Sequence, residues 1–317
     1  MGKKIWLFIA TSLIALGLII FAVVMSIYKW DFKKLSTKKY ETNEYEFTDE
    51  IKDISLVTNT ADVLFAVSND GKSKVVCYEE EQANHSVTVQ EGKLTVQIAD
   101  EKWYDNIGIN FGSPKITIYL PQGEYGQLSV KTSTGDIEMP NAFAFTNFEV
   151  SATTGDVKSN ASVTGNVKIK TNTGGIRLEN VSAHALDLSV STGGITVTNV
   201  ACIGDIKISV STGKTVMNAV TCKNLTSDGD TGDISLTSVV ATEKFSIKRS
   251  TGDVKFDGCD ALEISVTTDT GDVTGSLLSN KIFIVDTDTG EKEVPDSVTG
   301  GKCEITTDTG DIKISIR

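Results

Sequence analysis

A Thr-Gly pair recurs ten times at a nearly constant interval, and no other feature of the 317-residue chain constrains its fold as strongly. The glycines are Gly135, Gly155, Gly174, Gly193, Gly213, Gly232, Gly252, Gly271, Gly290 and Gly310, each 19 or 20 residues from the next. Self-similarity at such a period marks an array of stacked units, each burying its apolar face against its neighbours. Seven residues before the glycines stand Leu128, Phe148, Val167, Leu186, Ile206, Leu225, Phe245, Ile264, Phe283 and Cys303. The position five before is apolar except at Ser227, and the position two after is apolar except at Thr215 and Lys292. Mostly polar residues lie between, so each repeat reads as two short alternating strands that meet at the Thr-Gly corner. Glycine takes positive φ at such a corner without a Cβ clash.

The apolar alternation slips by one residue across the corner, and a chain that bends there keeps both apolar faces on one interior. The predicted fold is therefore all-β: a β-solenoid of about ten rungs, spaced roughly 4.8 Å apart. Successive hairpins in a meander or propeller would also give strand–turn–strand units, but an interval held to 19 or 20 residues favours stacked coils. The Thr column beside the corners, from Thr134 to Thr309, is expected to form a hydrogen-bonded ladder. Residues 46–125 read as a less regular entry region before the solenoid of residues 126–317. Within it, Asp53–Leu64 resembles a rung with Ala61 in the glycine position, Ser86–Ile98 alternates across Glu91-Gly92 like a hairpin, and Ile116–Pro121 is expected to lead into the first full rung.

The N-terminus has another character. After a basic tail, residues 1–4, the 24 residues Ile5–Tyr28 contain no charge and as a helix would cover roughly 36 Å, enough to span a bilayer with some tilt. A cleaved signal peptide would have a shorter apolar stretch and a small-residue cleavage site, which Ser26–Trp30 does not offer. Residues 29–45 follow as a basic linker. Lys29, Lys33, Lys34, Lys38 and Lys39 would by the positive-inside rule hold the body in the cytoplasm. A short basic tail before an apolar stretch is also the form of an exported signal-anchor, and nothing in residues 40–317 suits a cytoplasmic enzyme, so export is the reading adopted. Residues 1–40 carry seven Lys against one Asp, which leaves residues 41–317 at −18 within a chain of net charge −12. Such a body repels phosphate backbones, which argues against nucleic acid as a partner.

An apolar N-terminal helix, an entry of the form ITIYLP, and runs such as VKTSTGDIEM, VSTGGITVTNV and ITTDTGDIKISI together resemble the LiaG-like "putative adhesin" family of membrane-anchored bacterial envelope proteins. The resemblance spans about residues 50–317. It implies a β-solenoid outside the membrane, a tie to the envelope stress response, and no catalytic residues or cofactor; the reading adopted for the chain itself is a non-enzymatic anchored protein that presents its acidic solenoid to other envelope proteins or surface polymers.

Chemical motifs are few. Asp230, Asp269, Asp288 and Asp308 open D-T-G triplets like those of aspartic proteases, but sibling repeats place Ser, Thr or Asn there, so the position reads as a corner residue. The alternative reading, a glycan-active β-helix enzyme, needs loop-walled carboxylates, and rungs this short leave no room for such loops. The only histidines, His85 and His184, read as isolated. Cys202 and Cys222 occupy one column of small residues, where a cross-rung disulfide is geometrically possible. In the last three repeats the corner is doubly acidic. If the repeats stack in chain order, Asp269 and Asp272, Asp288 and Glu291, and Asp308 and Asp311 repel across rungs, and Ca²⁺ is the candidate to relieve them, with Lys313 as its competitor.

Overall fold

The computed structural model describes residues 2–31, 39–99 and 112–317; Lys33, Lys34 and Lys38 of the predicted basic cluster lie outside them. One helix, Lys3–Ile27, carries the N-terminal apolar run. Trp6, Leu7, Phe8, Leu13 and Ile14 are each more than half exposed along it, and Lys4–Ile27 is long and apolar enough to cross a membrane. The first strand, Tyr40–Phe47, begins within the stretch read as linker.

Beyond the helix the chain is a β-solenoid, as the repeat dictates. Strands before each Thr-Gly corner pair in parallel and in register along one side, for example Val130↔Val150, Val150↔Ile169 and Ile169↔Leu188. Strands after the corner do the same on a second side, for example Val157↔Ile176 and Ile176↔Ile195. The interior columns are buried except in the rung of Gly290, and each fully buried Val, Leu or Ile contributes on the order of 1.5–3 kcal/mol. A third side, short and absent from the two-strand reading, stacks Ala183, Cys202, Cys222 and Ala241. It is set off by a second corner six residues after the glycine, where Asn180, Asn199, Ala219, Ser238 and Gly258 all hold φ between 52° and 61°.

Two requirements meet at the Thr-Gly corner. Its ten glycines have φ between 128° and 157°, and a Cβ on Gly193 would lie well inside contact distance of the carbonyl oxygen of Gly174 one rung below. The Thr beside each corner is exposed, and from Thr154 onward its backbone carbonyl accepts the N–H of a neighbouring rung's glycine, as Thr154 does from Gly135 at 3.0 Å. The threonines with side-chain hydrogen bonds lie two residues earlier and point inward: the Thr132 and Thr171 hydroxyls donate to the carbonyls of Thr134 and Thr173 at 3.0 and 3.2 Å. The ladder thus runs through a different column from the expected one.

Stack order departs from chain order at both ends. Asp53–Thr58 and Asp62–Val67 form a true rung with Ala61 at its corner, and Gly135 sits on Ala61. This rung lies between the first Thr-Gly rung and a further layer made by Lys93–Ile98 and Lys115–Leu120. Ile116–Leu120 therefore precedes the first full rung in sequence but sits two layers from it. At the other end Gly301–Thr309 inserts between Glu263–Thr270 and Lys281–Thr289, so the rung of Gly290, not that of Gly310, is outermost. The N-terminal end is closed by antiparallel strands: His85–Gln90 turns back on Lys93–Ile98 through Glu91-Gly92 (φ 51° and 77°), and Ser73–Glu80 joins Lys115–Leu120 to Tyr40–Phe47.

Two breaks in the apolar columns, Thr215 and Ser227, have one cause. The guanidinium of Arg249, a residue only 4% exposed, lies inside the coil. Its Nη2 donates to Ser227 Oγ at 2.9 Å and Thr215 Oγ1 at 3.3 Å, and its Nη1 donates to the backbone carbonyls of Lys248 at 2.8 Å and Ser227 at 3.4 Å. Gly229 completes the chamber, since a Cβ there would stand 2.8 Å from Nη1. Ser227, Thr215 and Gly229 are the small or polar residues that a buried cation requires.

Candidate functional site: corner carboxylates, a buried histidine chain and an open end

The aspartate after the Thr-Gly pair is a stacking device. Its Oδ1 accepts the backbone N–H of the equivalent residue one rung on: Asp62 from Asp136 (2.9 Å), Asp136 from Asp156 (2.8 Å) and Asp156 from Gly175 (2.7 Å). Gly175, Gly194 and Lys214 interrupt the column. It resumes as Asp233 accepts from Asp253 (3.3 Å), Asp253 from Asp272 (2.9 Å), Asp272 from Asp311 (2.8 Å) and Asp311 from Glu291 (2.9 Å).

The six acids considered for calcium thus fall into two columns in stack order, Asp272–Asp311–Glu291 and Asp269–Asp308–Asp288. Among the described residues, no three of them bring ligand atoms within 4.8 Å of one another. Lys313 reaches both Asp311 (2.8 Å) and Glu291 (3.0 Å). The N–H of Glu291 and then Lys313 hold the Asp311 carboxyl below its ordinary value, and Asp311 and Glu291 push the Lys313 ammonium upward.

His85 is not isolated, contrary to the sequence reading. Its Nδ1 lies 2.6 Å from Glu79 Oε2 and its Nε2 3.0 Å from Thr58 Oγ1. Its backbone N–H donates to the same Glu79 oxygen at 2.8 Å, while Asn43 Nδ2 donates to Oε1 at 2.9 Å. Cys77 joins the group, with one ligand atom from each of Cys77, Glu79 and His85 within 4.8 Å. Burial pushes the Glu79 carboxyl up, but the hydrogen bonds from His85 and Asn43 outweigh it, and the net shift is downward. The order hydroxyl–imidazole–carboxylate matches a nucleophilic relay, yet Thr58, His85 and Glu79 are all buried. What the chain does here is tie strands Asp53–Thr58, Ser73–Glu80, His85–Gln90 and Tyr40–Phe47 into one cap. Its only sequence signal is Glu79 at an inward position of an alternating strand. His184 is exposed, as expected.

All five cysteines are buried and free, including the stacked pair Cys202 and Cys222. Burial pushes the thiols of Cys77, Cys222 and Cys303 up to about 12, which keeps them protonated and unreactive.

Among the described residues, the C-terminal end has no counterpart to the N-terminal cap. Lys281–Thr289 pairs with Gly301–Thr309 on one side only. Phe283 and Val285 are only partly buried, whereas Cys303 and Ile305 in the rung beneath are fully so. Beside this end, a shallow groove of about 470 Å³ runs past Asp260, Leu262, Asn280, Lys281 and Gly300. Lys281 is buried in its wall, with its ammonium donating to Asp260 Oδ1 and Ser279 Oγ, both at 2.6 Å.

Fold and helix together define a class: an acidic β-solenoid joined to a single apolar N-terminal helix. The model of the Toastrack DUF4097 family matches residues 51–210 and 201–317, and the chain belongs to that family. No curated protein matches it. Solved structures similar to it include a "putative adhesin" from Bacteroides fragilis, at 18% identity over 88% of this chain and 98% of that one, TM-score 0.42. Another is a "putative adhesin" from Parabacteroides distasonis, at 11% identity over 86% and 98%, TM-score 0.41. A "putative lipid binding protein" from the same organism aligns at 16% identity over 76% and 98%, TM-score 0.38.

Proposed function

We propose that this member of the family is a non-enzymatic envelope protein. Helix Lys4–Ile27 anchors it, and its acidic solenoid is presented outside the cytoplasm to other envelope proteins or surface polymers. The observation that carries this reading is a division of labour. One exposed apolar helix is joined to a rod whose reactive groups, the Thr58–His85–Glu79 chain and the five thiols, are sealed inside. What remains for function is surface, and that surface is acidic and rigidly spaced. The finer resemblance to LiaG-like proteins, carried by the repeated [ST]-T-G-[DG]-[IV] motif, supports a part in the envelope stress response.

The test is topological. Protease added to cells with permeabilised walls should digest the chain beyond Lys39 and leave the helix in the membrane. Full protection of the body would place it in the cytoplasm and overturn the reading, giving Lys29 and Lys39 their ordinary positive-inside meaning.

A further inference from the structure

The two ends of the rod differ in a way that selects what can bind. Strand edges left open recruit further strands unless they are covered. The N-terminal end is covered by Tyr40–Phe47, Ser73–Glu80 and His85–Gln90. The outermost C-terminal strand, Lys281–Thr289, has a free edge among the described residues, half-covered Phe283 and Val285 facing inward, and Ile282 and Ile284 exposed at 43% and 50% on the outer face.

Charge at this end is one-sided. Each cation there already has a partner: Lys281 with Asp260, Lys292 with Asp286, Lys302 with Glu304, and Lys313 with Asp311 and Glu291. Asp288, Glu293 and Asp296 are exposed and have no cation within ion-pair distance among the described residues. A second copy docked end to end would set these acids against each other. Continuation of the rungs into another copy's N-terminal end is blocked by that copy's cap.

We propose that the free edge of Lys281–Thr289 takes an extended cationic segment of a partner protein as one further rung. Alternate apolar side chains of that segment cover Phe283 and Val285, and the intervening Lys or Arg lie over Ile284, Asp286 and Asp288. Backbone hydrogen bonds supply affinity, and the acids select against anionic strands. This deepens the envelope-interaction reading and rests on it for the partner's location, but not for the binding itself.

The experiment uses the full chain in phosphatidylcholine nanodiscs and a fluorescent nine-residue peptide of alternating valine and lysine. Saturable one-to-one binding is expected, with a photo-crosslink to residues 281–293. Methylating alternate backbone nitrogens of the peptide should weaken binding at least tenfold, and a glutamate-for-lysine peptide should not bind. The Asp288→Lys/Glu293→Lys chain, altered only at exposed positions, should also lose at least tenfold while keeping its melting temperature. Equal binding of the methylated peptide would reduce the effect to charge attraction and overturn the proposal. Undiminished binding by the charge-reversed chain, or a dimer in sedimentation that buries this end, would do the same. Binding in nanodiscs is independent of topology in cells, so a cytoplasmic body in the protease test would refute the envelope reading without touching this result.

Discussion

Ser227→Ala should weaken the middle of the rod far more than its one missing oxygen atom suggests, and the loss should depend on Arg249. In the native chain Ser227 Oγ accepts from a guanidinium that is 4% exposed, at 2.9 Å, and among the described residues that guanidinium has no carboxylate in ion-pair contact. Arginine stays charged when buried, so the lost acceptor leaves a cationic N–H without its partner in a low-dielectric interior. A hydrogen bond to a charged group is worth about 1.5–3 kcal/mol, which sets the expected cost near 2 kcal/mol. Thr215→Val removes a longer bond, 3.3 Å, and should cost about 1 kcal/mol.

The decisive comparison is with Arg249→Met, which keeps much of the length and removes the charge. In that background Ser227→Ala should be close to neutral, giving a coupling of about 2 kcal/mol between the two sites. Because a solenoid opens in segments, the assay is amide hydrogen exchange across Ile206–Thr212 and residues 244–251, supported by urea melts. An equal loss from Ser227→Ala in both backgrounds would show that the hydroxyl serves packing alone and refute the chamber.

Ala219 holds φ 52° between Asn199 and Ser238 in the second corner, so Ala219→Gly should raise stability by about 1 kcal/mol; an unchanged or lower urea midpoint would count against strain at that corner. Ala219→Asn should gain as well, by extending the ladder in which Asn199 Nδ2 donates to Asn180 Oδ1 at 2.6 Å. Gly193→Ala, although small, should disrupt the central rungs and lower the melting temperature sharply, because its Cβ meets the Gly174 carbonyl as well as an unfavourable φ of 140°. Glu79, with its carboxyl held low in the folded cap, contributes stability that is present above its unfolded value near 4.5 and lost as pH falls through the folded one; Glu79→Gln should flatten the acid limb of the stability curve, read by thermal melts between pH 3 and 7 (bounds set by about one to two units around the ordinary carboxyl range). Asp272→Asn, which retains the oxygen that accepts from Asp311, should be nearly neutral, while Asp272→Ala should cost about 1 kcal/mol; equal losses would remove the stacking role of the corner carboxylate, and a rise in melting temperature with Ca²⁺ beyond matched sodium would revive a cation at that edge.

The corners and the two long sides were legible because they repeat: a period of 19 or 20 with glycine at fixed phase leaves few alternatives. The third side was not, because it is only about three residues long and its corner is filled variously by Asn180, Asn199, Ala219, Ser238 and Gly258, all of which reach the same φ without sharing a type. Thr215 and Ser227 looked like defects in apolar columns when each was considered alone, and Gly229 gave no signal. They become one feature only when Arg249, 22 residues from Ser227 and 34 from Thr215, is folded onto them. The cap was hidden for a similar reason, since Thr58 and His85 are 27 residues apart and meet only because the chain reverses at the N-terminal end. The acidic corners were visible as a pattern, but their use was not: the carboxylates face backbone N–H groups of the next rung, which no spacing in the sequence declares.

The threading at the C-terminus bears on what the rod can do. Had the repeats stacked in chain order, the outermost rung would be that of Gly310. Instead Gly301–Thr309 is held between Glu263–Thr270 and Lys281–Thr289, and Ile312–Ile316 pairs with Val273–Leu277 along its length and with Lys292–Glu293 at Ile312 and Lys313. Arg317 is pinned from both backbone and side chain, donating its N–H to the Leu277 carbonyl at 2.9 Å and its Nη1 to Asp257 Oδ1 at 3.0 Å. The strand left outermost, Lys281–Thr289, is tethered at both of its ends and backed by eight in-register residue pairs to Gly301–Thr309. An edge fixed in this way loses little further conformational entropy when another strand is added. The same inversion places Lys313 between Asp311 and Glu291, so those two charges are neutralised, while Asp288 and Glu293 on the outer rung have no ion-pair partner among the described residues. Threading and charge thus converge on one end of the molecule, the end opposite the capped layers that connect to the helix.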